Sequence, residues 1–455
     1  MAAFAARTAT VASNRARFAS TFAIASRAAA PAPTGAGTDA PTFTFFAANG
    51  ADAMEKAVSD DAVKGIIVTS GRKEFIVGAD ITMIQGMASS NAEELTAGAW
   101  ELNQRFRAIE TAGKPVAAAI NGDALGGGLE VALACHYRVA ADKKFKIGLP
   151  ESKLGLLPGG GGTQRLPRLI GIQNALPLML EGKDLTPQKA AKLGIVHKLA
   201  PEGEILAEAK RWLLEEGDAV QPWDKKGFKI PGGGPVTPGV AQVFVAGNAM
   251  LQDKTKRNYP AQRNIMSSVY EGTIVDIDTG LKIESRYFVN CVMSPEAKNL
   301  TRFFFSMTAA NKLANRPKGV DRQKFSKVGV LGAGMMGAGI AYVTARAGMD
   351  VVLLDVDQAA AEKGKAYSEG LVGKAVKRGR MAEDQAAEML GRIKPTTDYN
   401  DLAGCELVIE AVFENRELKA DVTAKTEAVL AEDAIFASNT STLPITGLAE
   451  ASKRP

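Results

Sequence analysis

Two acids stand beside runs of glycine. In "NGDALGGGLE" Glu130 follows Gly126, Gly127 and Gly128, and in "GLPESKLGLLPGGGGTQRL" Glu151 precedes Gly159, Gly160, Gly161 and Gly162. A carboxyl group can carry a proton to or from a reacting atom. A glycine run between a strand-like segment and the helical pattern "LEVALACH" leaves backbone N–H groups free at a helix start, where the dipole adds positive potential. Such donors stabilise a developing oxyanion when a second N–H faces them, and Ala79 in "FIVGADI" is the candidate second donor. Alone, a Glu on a first helical turn is usually a surface residue offsetting the dipole, and a glycine run is more often a flexible turn. Two acids, each tied to a glycine-rich loop, point instead to acid–base chemistry at a polarised carbonyl.

A second constellation lies further along. "KVGVLGAGMMGAGIAYVTARAGMDVVLLDVD" reads as a strand, then Gly332, Gly334 and Gly337 in GxGxxG spacing, a helix, and a strand ending at Asp355. A lone GxGxxG is weak evidence; the βαβ setting and the closing acid supply the context that the motif needs. Gly332 permits the tight turn, Gly334 admits a pyrophosphate close to the backbone, and Gly337 lets helix and strand pack. Asp355 would accept from both ribose hydroxyls and repel a 2′-phosphate, so the expected cofactor is NAD rather than NADP. "ELVIEAVFENRELK" adds a strand followed by Glu414 and Lys419, and "IFASNTST" ends a strand at Asn439 and Ser441. Carboxyl ends of strands are where ligands bind in such sheets.

The elements around these residues alternate. "GIIVTS" and "KPVAAAI" read as buried strands, and "AEELTAGAWELNQRFRAIE" between them has the period of an amphipathic helix. Thr186 and Pro187 in "LTPQKAAKLG" are placed as N-cap and first helical residue. This is an α/β layout. "KIPGGGPVTPG" breaks it, residues 240–315 look helical, and "KVGVLGAG" opens a second α/β unit.

Composition narrows the classes. With 455 residues, 46% hydrophobic and 23% charged, the chain is ordinary for two to four globular domains. A net charge of +5 without a dense basic run gives no reason to expect nucleic acid. Cys135, Cys291 and Cys405 form no CxxC and have only His136 and His197 to help them, which argues against a zinc site or disulfide framework and for a reducing compartment. No apolar run is long enough for a spanning helix. The first 38 residues hold Arg7, Arg15, Arg17 and Arg27 and no acid before Asp39, the composition of an organelle transit peptide.

The stretches "GKPVAAAINGDALGGGLEVALACHYRVA" and "IGLPESKLGLLPGGGGTQRL" make residues 65–200 resemble the crotonase superfamily, specifically enoyl-CoA hydratase. That resemblance implies a ββα-spiral domain acting on acyl-CoA thioesters, with Ala79 and Gly127 holding the thioester oxygen. Glu130 would help activate a water for attack at C3, and Glu151 would give the proton to C2. Fused enzymes of this kind can also move a double bond from position 3 to position 2, so an isomerase side activity is implied too. The family's opening strands, with an N-A-L-like segment lining the CoA site, are not matched by "PTFTFFAANGADAMEKAVSDD".

Through "GAGMMGAGIA", Asp355, "EAVFEN" and "SNTS", residues 320–455 resemble the 3-hydroxyacyl-CoA dehydrogenase family. Met336, Val412, Glu414 and Lys419 would then line the NAD site, and Ser441 would bond the substrate's 3-hydroxyl. The family's His, held by a Glu in an "HFFNP" stretch, would fall beyond Pro455, so this half is expected to bind NAD without its base.

The order hydratase, helical linker, dehydrogenase is similar to that of multifunctional fatty-acid β-oxidation enzymes, including trifunctional α subunits. The expected partition is a leader at 1–40, a crotonase-like domain at 41–228, a linker and helical segment at 229–320, and a Rossmann NAD-binding domain at 321–455. A thiolase subunit, peripheral membrane association within a complex, and a mitochondrial matrix location are implied, with peroxisome or bacterial cytoplasm as alternative locations. The competing function is an acyl-CoA isomerase or hydrolase with a non-catalytic NAD-binding module.

Overall fold

A computed structural model describes residues 42–45, 50–87, 91–314, 316, 317, 319 and 323–454. The expected leader at 1–40 lies outside the described residues. Two compact units divide the chain, one ending at Asn315 and the other beginning at Arg316.

In the first unit, strand β1 (Thr42–Phe45) and helix α1 (Gly50–Ser59) lead to β2 (Gly65–Val68). Helices α2 (Ile81–Met87) and α3 (Ala92–Glu110) follow, then β3 (Val116–Ile120), β4 (Ala124–Leu125) and α4 (Gly127–Ala134). Next come β5 (Tyr137–Ala141), β6 (Ile147–Gly148), α5 (Gly162–Ile170), α6 (Ile172–Leu180), β7 (Asp184–Leu185), α7 (Pro187–Lys192), β8 (Lys198–Ala200) and α8 (Ile205–Glu215). The main sheet runs β1-β2-β3-β5-β8, all parallel. A parallel sheet buried on both faces needs continuous apolar strands, and β3, "VAAAI", is wholly buried. Its small residues let α8 pack close; a Cβ at neighbouring Gly65 would already stand 3.0 Å from Leu213 of α8. Asn91 caps α3 by accepting from the Glu94 N–H at 2.8 Å, and Thr186 caps α7 with Pro187 at its first position.

A small sheet, β4-β6-β7, aims the glycine turn. The Gly126 N–H donates to the Gly148 carbonyl and the Leu125 N–H to that of Ile76, so three segments converge where α4 begins.

Residues 238–311 are helical as expected: α9 (Pro238–Thr255), α10 (Pro260–Gly272), α11 (Ile277–Val292) and α12 (Pro295–Asn311). They do not stand apart as a connector. Helices α10 and α11 pack against each other and against α3, α5 and α6, so that Ile265, Val269, Val289 and Val292 join the main core. Asp276 and Ser294 cap α11 and α12 through their side chains.

The second unit contains β9 (Lys327–Leu331), α13 (Met335–Arg346), β10 (Asp350–Leu354), α14 (Gln358–Lys377), α15 (Glu383–Gly391), β11 (Ile393–Thr396), β12 (Leu407–Glu410), α16 (Arg416–Glu427), β13 (Ile435–Ser438) and α17 (Ile445–Ala449). Its parallel sheet runs β11-β10-β9-β12-β13. That is the doubly wound order, with its switch point between β9 and β12. Among the described residues, no helix is long and apolar enough to cross a membrane.

Candidate active site

Gly126 has φ +57°, and a Cβ there would lie 3.1 Å from Oε1 of Glu151. The turn therefore demands glycine twice over, by conformation and by space. Two residues on, a Cβ at Gly128 would stand 2.0 Å from the Ile76 carbonyl oxygen, so the segment leading to Ala79 lies directly against the start of α4. Gly127, the first residue of α4, has no intrahelical acceptor for its N–H. The fold thus brings the Ala79 and Gly127 segments together, as an oxyanion-binding pair requires.

Glu130 sits on the first turn of α4, 3% exposed, and its Oε1 accepts the N–H groups of Gly160 and Gly162, both at 2.8 Å. Burial pushes its carboxyl up to about 7 against the pull of those two donors and of Arg165. Glu151 begins a 3-10 turn that is flanked by Pro150 and by Gly155 at φ +73°. The residue is half-buried, but its Oε2 is shielded from solvent and has no hydrogen-bond partner. Burial, then the charges of Glu130 and Glu284, hold the Glu151 carboxyl well above the usual range. The two acids therefore differ: Glu130 meets donors that favour the ionised form, and Glu151 meets surroundings that favour the protonated one.

Behind the turn, Arg165 and Glu110 form a fully buried pair, with Nε to Oε1 at 2.8 Å, and Arg165 Nη1 also donates to the Gly160 carbonyl. A Cβ at Gly161 would lie 1.6 Å from that guanidinium. Sequence reasoning missed Glu110, Arg165 and Glu284. Their signal was a charge on an otherwise apolar helix face. His136 and His197 lie in the first unit, the ring of each accepting a backbone N–H, and burial lowers both below the ordinary histidine value. The three cysteines are free and buried, their thiols raised by burial.

In the second unit, Gly332 has φ +91° at the switch point, where a Cβ would meet the Ala411 carbonyl at 2.7 Å. A Cβ at Gly337 would lie 1.7 Å from the Gly332 carbonyl, whereas Gly334 faces open space. That open, side-chain-free face at a helix start fits a pyrophosphate. Asp355 ends β10 with Oδ2 accepting the Ala333 N–H at 2.6 Å, which ties it to the glycine turn. Met336, on the first turn of α13, is 50% exposed, and Val412 lies half-buried just past β12.

Glu414, Thr440 and Ser441 join across the ends of β12 and β13: Glu414 accepts from the Ser441 N–H at 2.8 Å, from its hydroxyl at 3.3 Å and from the Thr440 hydroxyl. These donors, the Ser441 N–H first, hold Glu414 down to about 2. The Asn439 N–H is taken by the Glu410 carbonyl, so it is not free for a ligand. Lys419 is placed differently from the lining position expected. It is 2% exposed, and its Nζ is held by both oxygens of Glu410 at 2.8 and 3.0 Å, with Glu414 at 3.4 Å. A buried ammonium must be paired, so Lys419 supports Glu414 from beneath rather than reaching outward. Glu410 also accepts from the Ser438 hydroxyl and was not legible as a partner.

The chain is thus of the two-domain α/β class, with a carboxyl pair beside glycine turns in its first unit and a dinucleotide-type glycine turn in its doubly wound second unit. Residues 46–218 match the family Enoyl-CoA hydratase/isomerase, and residues 327–455 match 3-hydroxyacyl-CoA dehydrogenase, NAD binding domain. The chain therefore carries an enoyl-CoA hydratase/isomerase domain followed by the NAD-binding domain of the 3-hydroxyacyl-CoA dehydrogenase family. It is 40% identical over 402 residues to the fatty acid oxidation complex subunit alpha of Shewanella loihica, covering 87% of this chain and 56% of the relative. With the subunit of the same name from Idiomarina loihiensis it shares 39% over 424 residues, covering 90% of this chain and 58% of the relative. The chain thus spans little more than half the length of these bacterial relatives. Among solved structures, (S)-3-hydroxybutyryl-CoA dehydrogenase from Ralstonia eutropha is 39% identical over 29% of this chain and 46% of its own, with a TM-score of 0.28. Enoyl-CoA hydratase from Bacillus anthracis is 25% identical over 58% of this chain and 83% of its own, with a TM-score of 0.33.

Proposed function

We propose that the first domain adds water to trans-2-enoyl-CoA thioesters. The observation that carries this reading is the unequal pair on one glycine turn, Glu130 held by two N–H donors and Glu151 shielded with a free Oε2. The thioester oxygen lies between the N–H groups of Ala79 and Gly127, which take up its developing negative charge. Ionised Glu130 accepts a proton from water as the water oxygen bonds to C3. Protonated Glu151 delivers its proton to C2 as the double bond closes. The sum is one water across C2=C3, giving the 3-hydroxyacyl thioester, and the proton left on Glu130 returns the pair to its starting state.

The second domain binds NAD at its glycine turn, which supplies a hydride acceptor for the 3-hydroxyl carbon. The Gly334 backbone and the N-terminus of α13 would hold the pyrophosphate and Asp355 the ribose, Met336 and Val412 would line the site, and Ser441 with Glu414 would orient the substrate hydroxyl. Hydration followed by oxidation is the order of fatty-acid β-oxidation. A thiolase-type partner would then take the 3-keto product. The Arg-rich, acid-free first 38 residues favour mitochondrial import, which a fluorescent fusion of residues 1–40 tests by organelle-restricted or diffuse signal.

The test of function is product identity. Incubated with 2-butenoyl-CoA, the chain should yield a product heavier by one water that co-elutes with 3-hydroxybutanoyl-CoA. A shifted double bond, or free CoA, would replace this reading with the isomerase or hydrolase one.

A further inference from the structure

A third carboxylate reaches the same glycine turn. Gly160 and Gly162 donate to Glu130, while the intervening Gly161 and the following Thr163 donate to Glu284 of α11, at 2.6 and 2.9 Å. Four consecutive N–H groups thus alternate between two acids. Glu284 is fully buried and also accepts the Thr163 hydroxyl at 2.6 Å and an Asn103 N–H at 3.4 Å. One helical turn on, Phe288 closes on the loop: a Cβ at Gly159 would lie 2.5 Å from its ring. Neighbouring α10 contributes Ser268, which bonds Thr163 and Gln164. Glu284, Phe288 and Ser268 lie beyond residue 218, where the hydratase family match ends.

We propose that Glu284 is a positioning residue for hydration: it holds one side of the glycine turn whose other side orients Glu130, so α11 is a built-in part of the hydratase site. This rests on the hydratase reading above. A simple helix cap for α5 would satisfy the same N–H groups, but would not place a carboxylate beside two catalytic ones. The charged groups facing Glu284 are Glu130 from α4, Glu151 from its 3-10 turn, and Arg165 and Arg168 from α5, with Arg165 already matched by Glu110 from α3. Burial pushes the Glu284 carboxyl up to about 8 against the pull of its Thr163 and Gly161 donors.

The full chain and its Glu284→Gln and Glu284→Asp variants are assayed for 2-enoyl-CoA hydration across pH, with amide exchange followed over residues 158–164. Expected for Glu284→Gln are an unchanged circular dichroism spectrum, a kcat lower by about 10²-fold from the misplaced acid, little change in KM, and faster exchange at Gly160 and Gly162. Glu284→Asp, which keeps the carboxyl group, should recover part of the lost kcat. An active parent whose Glu284→Gln variant keeps its kcat overturns the proposal alone. An inert parent overturns the hydratase reading and this role with it.

Discussion

Glu130 and Glu151 are the same residue type with different neighbours, and the neighbours decide their protonation. Burial raises both, and Glu284 as well, so the folded chain keeps protons that the unfolded chain would release. Stability from these groups is full below their ordinary value of 4.5 and is lost as pH rises through about 7 for Glu130 and about 8 for Glu284. The first unit should therefore melt several degrees higher at about pH 5 than at about pH 8.5, and Glu284→Gln should flatten that difference. A melting temperature that climbs across this window in the parent contradicts the assignment. The Glu110–Arg165 pair gives a second prediction. Glu110→Ala leaves a guanidinium buried without its partner and should destabilise the unit by about 3–5 kcal/mol in denaturant titration. A loss under about 1 kcal/mol would mean that water reaches Arg165.

At the scale of elements, glycine spacing carried most of what could be read from sequence. Gly126 and Gly332 sit at turns with positive φ, and Gly337 lies where a Cβ would meet the Gly332 carbonyl. Gly337→Ala would push α13 off β9. It should abolish the fluorescence enhancement of added NADH while hydration persists; retained NADH binding would refute the turn's role. Asp355 and Ser441 were legible as strand-end residues. Lys419 was not, because depth cannot be read from a short Glu–Lys pattern: its partner Glu410 lies on the preceding strand and points inward. Glu284 escaped for a related reason. It is distant in sequence from the turn it holds, and only the packing of α11 on α3 and α5 joins them.

For the whole molecule, alternating strands and helices revealed two α/β units, but the helical stretch between them gave no sign of which side it belongs to. Its apolar residues at Ile265, Val269, Val289 and Val292 fill the first core, and its Glu284 fills the first site. By contact these helices belong to the first compact unit, which runs to Asn315. A chain ending at residue 315 should be soluble and hydrate 2-enoyl-CoA, whereas one ending at 228 should aggregate, its Gly161 and Thr163 N–H groups stripped of their acceptor. Equal solubility and activity of the two would show that the helices are a mere connector.

Hydration by the unequal carboxyls of Glu130 and Glu151 is tested most directly by following the ultraviolet absorbance of a short 2-enoyl-CoA, whose conjugation hydration removes, in the parent and in Glu130→Gln and Glu151→Gln. Rapid loss in the parent and a rate lower by about 10²–10⁴-fold in each variant are expected. Undiminished turnover in either variant, or a parent that leaves the absorbance untouched, would contradict it.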